Sequence, residues 1–395
     1  MDSHTKINVG VFSDVYYPMI DGVVKVLENQ VKHLKDRVNF YLIVPDAPKE
    51  YEEKSIGEKQ LIRVKSIKIF FLDYKMATPN FDCKLKKELK DIPLDLILVH
   101  SPFGMGKYGL KVAKKRKIPS IIYAHSLLKQ DFRRNTKSRL LTAIMLRAII
   151  KRYQKASVVV PVGKGVKNVY LNEYKMKNKT HVINNATDMV FLNDIDKVNS
   201  LKESYSIKDN ELVFSFLGRI NKLKGIYLIA DSLKIVKDNN IEFKAFFIGD
   251  GLDLEPFKEY CDKIGISDHV IFPGTVRERK EIAAYLQMSD LFLFPSFYDT
   301  NSLVQIEAAS QKTPSLLAIG STTAYGLVDG HNCFLANYTP KEYAKRIIEL
   351  NNDRKLLSEM REKVYQNMYR TWENSANQLY DLMIETIKNN KKWGN

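Results

Sequence analysis

Charged side chains follow short hydrophobic runs at several points of the sequence, in positions suited to bind an anion. Arg219 directly follows the run LVFSFLG, and Lys224 stands at the entry to the next helix-like segment. Parallel α/β sheets carry ligand-binding residues at the carboxyl ends of their strands, so we expect these cations to converge on one anion. Each charge-assisted hydrogen bond to phosphate contributes about 1.5 to 3 kcal/mol, so the pair could hold a diphosphate without a metal. Two solvated surface cations are the alternative.

Other candidate residues occupy comparable positions. Asp299 and Glu307 stand eight positions apart in FPSFYDTNSLVQIEAASQKTP, an almost uncharged stretch, and the residues alone leave their ligand open. His125 ends the run IIYAH, where a parallel sheet displays site residues, although an isolated histidine is more often structural. Gly22 opens a helix after the loop SDVYYPMIDGVV, and a glycine there lets a phosphate approach the helix start. The loop matches neither GxGxxG nor the P-loop, so dinucleotide and triphosphate binding lose support.

The elements that must position these residues are β-rich runs alternating with segments of helical period, which predicts parallel sheets covered by helices. A chain of 395 residues is expected to form two domains of roughly 150 to 200 residues each. The predicted strands are 7–12, 39–44, 94–100, 120–125, 157–161 and 181–185 in the first half and 212–218, 243–249, 269–274, 290–295 and 314–320 in the second. The polar stretch 188–210 is the predicted joint, and its triplet Asp194-Ile195-Asp196 is weak support for a metal-bound nucleotide. The tail, 361–393, predicts one or two helices.

The cysteine spacing, the apolar stretches and the net charge argue against several classes of protein. The three cysteines lie far apart without CxxC spacing, which argues against a disulfide framework and against a zinc site. The amino terminus lacks a secretory pattern, and no stretch reaches the ~18 to 20 apolar residues that span a bilayer, which predicts a cytoplasmic protein. The net charge of +16 implies an anionic partner, such as nucleic acid, membrane lipid or a phosphorylated substrate.

The positive charge is concentrated in one segment. Residues 129–155 contain nine Lys or Arg and one Asp, a net +8. An apolar stripe accompanies the cations, which is typical of a helix that lies on an anionic membrane. A core-facing helix with a solvated basic side is the alternative. The stripe is Leu141, Ile144, Met145, Ala148 and Ile149, and the predicted membrane-binding residues are Arg133, Arg134, Lys137, Arg139, Arg147, Lys151 and Arg152.

The order of motifs resembles glycosyltransferase family 4, the retaining nucleotide-sugar transferases of GT-B architecture. The resemblance covers nearly the full length, from SDVYYPMIDGVV through VHSPFGMGKYGLKVAKKRKIPSIIYAHS, VINNATD and GRINKLKG to FIGDG, FPGTV and FPSFYDTNSLVQIEAASQKTP. It implies an α/β fold of two Rossmann-like domains whose parallel sheets face each other across a cleft. We expect an acceptor-binding domain at 1–190, a nucleotide-sugar-binding domain at 191–365, and a helix at 366–395 that crosses back to the first domain.

The resemblance assigns roles to the candidate residues. Arg219 and Lys224 would hold the donor diphosphate and stabilise negative charge as the nucleotide leaves. Glu307 would accept hydrogen bonds from ribose hydroxyls, Asp299 would reach toward the donor sugar, and His125 would lie beside the transferred sugar. The further residues expected to contact the donor are Gly22, Gly218, Gly249, Gly251, Val276, Arg277, Ser302, Leu303 and Val304. No metal and no cofactor is expected.

One departure from the family pattern concerns the donor sugar. The family usually has Glu followed by Pro-Phe-Gly where this chain has Asp299-Thr300-Asn301-Ser302, which leaves the identity of the sugar open. The stretch DTNSLVQIEAAS also resembles some lipid glucosyltransferases.

The predicted function is therefore retaining transfer of a hexose, with glucose preferred, from a nucleotide-sugar, with UDP preferred, to a membrane lipid such as diacylglycerol. The enzyme is expected to bind the inner face of the cell membrane peripherally. A soluble or polymeric glycan acceptor, as in teichoic-acid assembly, is the first alternative. A hydrolysing sugar-nucleotide epimerase is the second, and it would not need the Arg219 and Lys224 pair. A nucleic-acid binder would explain the charge, but the sequence has no recognisable binding motif.

Overall fold

The structure is a computed structural model that describes residues 6–19, 22–48, 50–51, 59–68 and 75–393. The chain divides into two compact units, each with its own hydrophobic core. Unit 1 comprises Met1–Asn185 with Trp372–Asn395, and unit 2 comprises Ala186–Thr371. The boundaries thus fall after residues 185 and 371, where the sequence predicted 190 and 365.

Unit 1 is built on a parallel sheet with helices between its strands. Its strands are β1 (Ile7–Phe12), β2 (Val38–Pro45), β3 (Lys59–Val64), β4 (Ser66–Lys68), β5 (Lys75–Ala77), β6 (Leu96–Val99), β7 (Ser120–Ala124) and β8 (Val158–Pro161). Its helices before the joint are α1 (Gly22–Leu34), α2 (Cys83–Asp91), α3 (Gly104–Arg116), α4 (Leu128–Thr136), α5 (Arg139–Tyr153) and α6 (Lys164–Asn168), the last continued by a π-helical turn, Val169–Glu173. Six strands form the sheet in the order β3-β2-β1-β6-β7-β8, and β4 pairs with β5 separately. Every residue of β6, β7 and β8 is buried, because helices cover both faces of such a sheet.

One predicted strand in unit 1 is absent. Residues 181–185 run beside β8 but make only two backbone hydrogen bonds to it, from His181 N–H to Val159 O and from Ile183 N–H to Pro161 O. With the bond from Val159 N–H to Lys179 O they form an isolated parallel bridge, Val159–Thr180, and not a continuous strand pairing. The sixth strand is instead β3, which the sequence analysis did not predict.

The carboxyl-terminal helix, α14 (Trp372–Trp393), belongs to unit 1. Its stripe of Trp372, Ala376, Leu379 and Met383 is buried, and the helix packs against α1. The Arg37 guanidinium lies 4.4 Å from the centroid of the Tyr380 ring, which adds a polar contact at the edge of this packing.

Unit 2 repeats the architecture. Its strands are β9 (Leu212–Leu217), β10 (Phe243–Ile248), β11 (Val270–Gly274), β12 (Leu291–Phe294), β13 (Ser315–Ala318) and β14 (Phe334–Ala336). Its helices are α7 (Ile195–Ser204), α8 (Ile226–Asp238), α9 (Leu254–Lys263), α10 (Arg279–Met288), α11 (Leu303–Ser310), α12 (Pro340–Asn352) and α13 (Arg354–Met368). All its strands are parallel, in the order β11-β10-β9-β12-β13-β14.

The segment 188–210, predicted to join the domains, lies inside unit 2 and contains α7. Asp194, the first acid of the DxD triplet, is the N-cap of α7: its Oδ1 accepts the N–H of Lys197 at 3.0 Å. This helix-capping role accounts for Asp194 without a metal.

The strand order of each sheet fixes where a ligand can bind. In unit 2 strands β10 and β11 lie on one side of β9, whereas β12, β13 and β14 lie on its other side. The loops after β9 and β12 therefore lead in opposite directions and leave a crevice at the carboxyl ends of these two strands. The same arrangement occurs in unit 1 between β1 and β6. Arg219 and Lys224 follow β9 and Asp299 follows β12, so the topology places these residues at the crevice of unit 2.

Candidate active site

The loop after β9 carries the predicted phosphate-binding cations. Arg219 is exposed and forms no hydrogen bond or ion pair with any residue in the described ranges. Lys224 ends a short 3₁₀ turn, Lys222–Lys224, in which Asn221 Oδ1 accepts the Leu223 N–H at 2.8 Å. Gly225 follows with φ +80°, and a Cβ there would lie 2.9 Å from Pro295 Cγ. The turn therefore brings the loops after β9 and β12 together.

Lys224 and Asp299 form an ion pair across the crevice. Lys224 Nζ lies 2.5 and 2.7 Å from the two carboxylate oxygens of Asp299, and the Ser296 hydroxyl donates to Asp299 Oδ2 at 2.6 Å. Both side chains are mostly buried, at 20% and 16% exposed. Asp299 therefore neutralises the charge of Lys224 in this structure. The sequence analysis did not predict this ion pair. A diphosphate that binds Lys224 would have to compete with this carboxylate.

Glu307 is held by a cation that the sequence analysis missed. Glu307 lies on α11, is buried, and accepts a hydrogen bond from Arg279 Nη1 at 2.8 Å. Arg279 Nη2 donates to Asp188 Oδ1 at 2.6 Å, so one guanidinium bridges two carboxylates. Burial acts to lower the pKa of Arg279, but Glu307 and Asp188 outweigh it and raise that pKa above its usual value. Arg279 does not belong to any motif recognised in the sequence. It contacts Glu307 because it is the first residue of α10.

The start of α11 supplies backbone donors near Glu307. Ser302 precedes the helix with an extended backbone, and its side chain does not cap the helix. The first N–H groups of an α-helix have no partner within the helix, so those of Leu303 and Val304 are suited to donate hydrogen bonds to a phosphate. Gln305 is buried on the same helix, and its Nε2 has no hydrogen-bond partner among the described residues.

The predicted donor-binding glycines have a structural role that the sequence analysis did not foresee. A Cβ on Gly249, whose φ is +140°, would lie 2.0 Å from Gly218 O, and a Cβ on Gly251 would lie 2.2 Å from Ile220 O. Gly218 itself has φ +142°. The loops after β9 and β10 cross so closely that only glycine fits there. Donor contact by these glycines stays a prediction.

The remaining donor-binding candidate in unit 2 is the loop after β11. Val276 is partly buried against the core of the unit, whereas Arg277 is exposed and has no hydrogen-bond or ion-pair partner among the described residues. In unit 1, Gly22 is exposed at the first position of α1, and its neighbours Ile20 and Asp21 lie outside the described residues.

His125 belongs to a stack of rings at the carboxyl ends of β6 and β7. His100 directly follows β6, and its Nδ1 lies 3.2 Å from Nε2 of His125. The rings of His100 and Tyr123 are parallel with centroids 4.8 Å apart, and those of Tyr123 and His125 are 5.1 Å apart. Burial lowers the pKa of His125 to about 3, so its imidazole is neutral near pH 7. Such a ring can exchange hydrogen bonds with a sugar hydroxyl but brings no positive charge.

Sequence analysis missed two partners in this region. His100 stands in the quoted motif VHSPFG, and its place directly after a strand next to β7 was the available signal. Asp14, in the loop after β1, is buried; its Oδ1 accepts the Met105 N–H at 2.9 Å and its Oδ2 accepts the Ser101 hydroxyl at 2.6 Å. Burial raises the pKa of Asp14 despite these hydrogen bonds, and the carboxylate fixes the start of α3.

The basic segment presents an apolar surface to solvent. Leu140, Leu141, Ile144 and Met145 are 70%, 50%, 56% and 39% exposed. Ile149, predicted in the same stripe, is instead buried, because it is on the side of α5 that packs on the core. Of the predicted membrane-binding residues, Arg133, Arg134, Lys137, Arg139, Arg147 and Lys151 are exposed, and Arg152 is partly buried and donates from Nη1 to Pro102 O at 3.1 Å. We call Leu140, Leu141, Ile144 and Met145 with these cations the basic–apolar face.

The described residues show neither a metal-binding cluster nor a helix that could span a membrane. They contain no cluster of three or more His, Cys, Asp or Glu side chains that could hold a metal ion. None of their helices combines the length and the apolar character needed to cross a bilayer.

Comparison with protein families matches almost the whole chain in two parts. Residues 20–191 match the model described as Glycosyltransferase Family 4, and residues 197–370 match Glycosyl transferases group 1. The chain therefore contains one domain of each of these two glycosyltransferase families. It is an enzyme of that class, and its two parallel α/β units are those of the GT-B fold.

Two relatives with the same name are similar to this chain over most of its length. The alpha-monoglucosyldiacylglycerol synthase of Acholeplasma laidlawii is 26% identical over 97% of this chain and 98% of its own length. The synthase of the same name from Streptococcus pneumoniae is 26% identical over 86% of this chain and 77% of its own length. Among solved structures, Anabaena HepE in complex with UDP is similar with a TM-score of 0.75 at 15% identity, covering 96% of this chain and all of that chain. At this identity the structural likeness concerns the fold.

Proposed function

We propose that this glycosyltransferase moves a hexose, with glucose expected, from a UDP-sugar to a membrane lipid such as diacylglycerol, with retention at the anomeric carbon. The observation that carries the proposal is the grouping of Arg219, Lys224 and Asp299 on the loops beside the β9–β12 crevice. This grouping offers cations to a diphosphate and a carboxylate to sugar hydroxyls within one sheet edge.

The donor half of the proposal rests on charge. Lys224 would exchange its contact with Asp299 for the diphosphate, and Arg219, which has no partner in the described residues, would add a second cation. The amides of Leu303 and Val304 would donate to the phosphates. Glu307, oriented by Arg279, would accept from the ribose hydroxyls. Solved HepE structures contain UDP and UDP-glucose, which supports a uridine donor here.

The proposed transfer breaks the bond between the anomeric carbon and the phosphate oxygen. The acceptor hydroxyl then forms its bond to that carbon on the same face and gives its proton to the departing phosphate oxygen. Negative charge develops on the diphosphate, and Arg219 and Lys224 stabilise it. The protein contributes placement and charge stabilisation, and no side chain becomes covalently attached to the sugar.

The acceptor half of the proposal rests on the basic–apolar face and on the relatives. Its exposed apolar side chains and flanking cations are suited to lie on an anionic membrane, where each nearby cation contributes ~1 kcal/mol. A face of this kind would bring the enzyme to an insoluble acceptor. Two relatives carry names that specify glucosylation of diacylglycerol.

The test is a donor and acceptor panel. The protein is incubated with UDP- and GDP-sugars, with and without vesicles of diacylglycerol and phosphatidylglycerol, and nucleotide release and lipid mass are measured. We expect UDP release that depends on diacylglycerol and a lipid product heavier by one hexose. Release with a soluble glycan and none with vesicles would support the alternative acceptor. Release of UDP together with a free, epimerised sugar in the absence of any acceptor would support the hydrolysing epimerase and exclude the proposal.

A further inference from the structure

A cationic cavity lies in unit 1, between α3 and α5. Its volume is about 830 Å³, and no Asp or Glu lines it. No ion pair joins its cations to any described residue, although Arg152 donates to a backbone carbonyl. The cations are Lys107, Lys111 and Lys114 from α3 and Lys151, Arg152 and Lys155 from α5 and the turn after it.

An apolar wall accompanies the cations. Tyr108, Leu110 and Ala113 are buried side chains of α3 that line the cavity, and Ile118 lines it between α3 and β7. Ala148 faces the cavity from α5 and is exposed. The cavity therefore combines a cationic rim with an apolar surface.

This combination selects the chemistry of a ligand. Unpaired cations that share one cavity repel each other, and an anion bound among them removes that repulsion. Pockets of about 300 to 1,000 Å³ hold one small molecule, so the volume does not suit a nucleic acid, which binds along an extended surface. Inorganic phosphate would contact the cations but would leave the apolar wall of the cavity without a partner. A phosphate joined to an apolar group satisfies both parts of the lining.

The cavity is separate from the residues near the predicted sugar site. Ser120, which lines the cavity, is the first residue of β7, whereas His125 follows the last residue of that strand. With a rise of about 3.3 Å per residue, Ser120 and His125 are about 16 Å apart. A ligand in the cavity would therefore not be the acceptor beside His125.

We propose that this cavity binds one phosphate-bearing amphiphile, with the phosphate among the lysines and the apolar group against α3. A membrane phospholipid is the source that we favour, because the cavity shares Lys151 and Arg152 with the predicted membrane-binding residues. The inference does not depend on the proposed transfer reaction, and its test measures binding alone.

Isothermal titration of the full chain distinguishes the sources of the phosphate. The probes are monomeric dihexanoylphosphatidylglycerol, dihexanoylphosphatidylcholine and glycerol phosphate. We expect the first to bind at least tenfold more tightly than the other two. Equal binding of glycerol phosphate would identify a free-phosphate site and overturn the amphiphile, and equal binding of the zwitterionic lipid would overturn the role of the cations. Absence of binding by all three would overturn the proposal.

Matched variants locate the binding. The double substitution Lys111→Glu and Lys151→Glu should weaken binding of the anionic lipid at least tenfold. The control, Lys32→Glu with Lys35→Glu, should not weaken it, because these exposed residues lie in the last turn of α1 and just after that helix, outside the cavity. Ala148→Trp should block the apolar wall, and Ala143→Trp, on an exposed position of the same helix that does not line the cavity, should leave binding unchanged. Unchanged binding in both cavity variants would place the lipid elsewhere and overturn the assignment.

Discussion

Replacing Lys224 by alanine tests the role of the β9–β12 crevice most directly. The substitution removes the ammonium that lies 2.5 Å from Asp299 Oδ1 and would bind the donor diphosphate. A charge-assisted hydrogen bond to phosphate is worth about 1.5 to 3 kcal/mol, which corresponds to a loss of about 10- to 150-fold in turnover. The loss should appear in kcat, because the diphosphate gains negative charge as its bond to the sugar breaks.

The same substitution should leave the protein folded. Asp299 loses Lys224 but keeps the hydrogen bond from the Ser296 hydroxyl. The pair is mostly but not fully buried, so its loss should cost about 1 to 2 kcal/mol, between the values for exposed and fully buried pairs. The melting temperature should then fall by about 2 to 8 °C.

The assay is UDP release under saturating donor and acceptor, with circular dichroism to follow unfolding. The control is Lys222→Ala in the same 3₁₀ turn, because Lys222 is exposed and contributes its backbone N–H, not its ammonium, to Asp253. The control should retain turnover. A Lys224→Ala protein that melts normally and turns over within twofold of the parent would refute the diphosphate role.

Three further predictions concern the other sites. Glu307→Ala should weaken UDP binding by at least tenfold in calorimetry, because ribose hydroxyls lose their acceptor; equal affinity would contradict this role. The pKa of His125 is lowered to about 3, so the unfolded chain binds a proton that the folded chain does not as pH falls below about 6.5. The contribution of His125 to folding stability should therefore fall by about 2 kcal/mol between pH 7 and 5, and His125→Gln should reduce the pH dependence in urea titrations; an unchanged pH dependence would refute the assignment. Leu141→Glu with Ile144→Glu should abolish salt-sensitive pelleting with phosphatidylglycerol vesicles, whereas Leu252→Glu, at a 91% exposed position in unit 2, should not; retained pelleting of the double variant would exclude this surface.

Much of the strand pattern could be predicted because buried parallel strands are short, uninterrupted apolar runs. The predicted run 7–12 coincides with β1, and the predicted runs 120–125 and 212–218 each exceed their strand by one residue. Edge strands were harder to predict. β3 contains Lys59, Gln60 and Arg63 and so lacks the apolar run of a central strand, and β14 has only three residues.

The candidate site was predictable only where a residue stands next to a strand. Arg219 and His125 follow β9 and β7, and their positions could be read from the alternation of strands and helices. Arg279 could not be found in this way, because it contacts Glu307 from a different helix at a sequence separation of 28. The pairing of Lys224 with Asp299, 75 positions apart, likewise depends on the strand order and not on any local pattern.

The ion pairs explain how a chain rich in lysine keeps carboxylates at this sheet edge. Asp299 pairs with Lys224, and Glu307 pairs with Arg279, which also binds Asp188, so each of these carboxylates has a cationic partner. Arg219 has no such partner among the described residues, so its positive charge is available to attract an incoming anion. Asp299 already holds the Lys224 side chain in place. A diphosphate that replaces Asp299 at Lys224 therefore loses less conformational entropy on binding than it would with a solvated, mobile lysine. We infer that Asp299, besides any contact with the sugar, positions Lys224 for the donor.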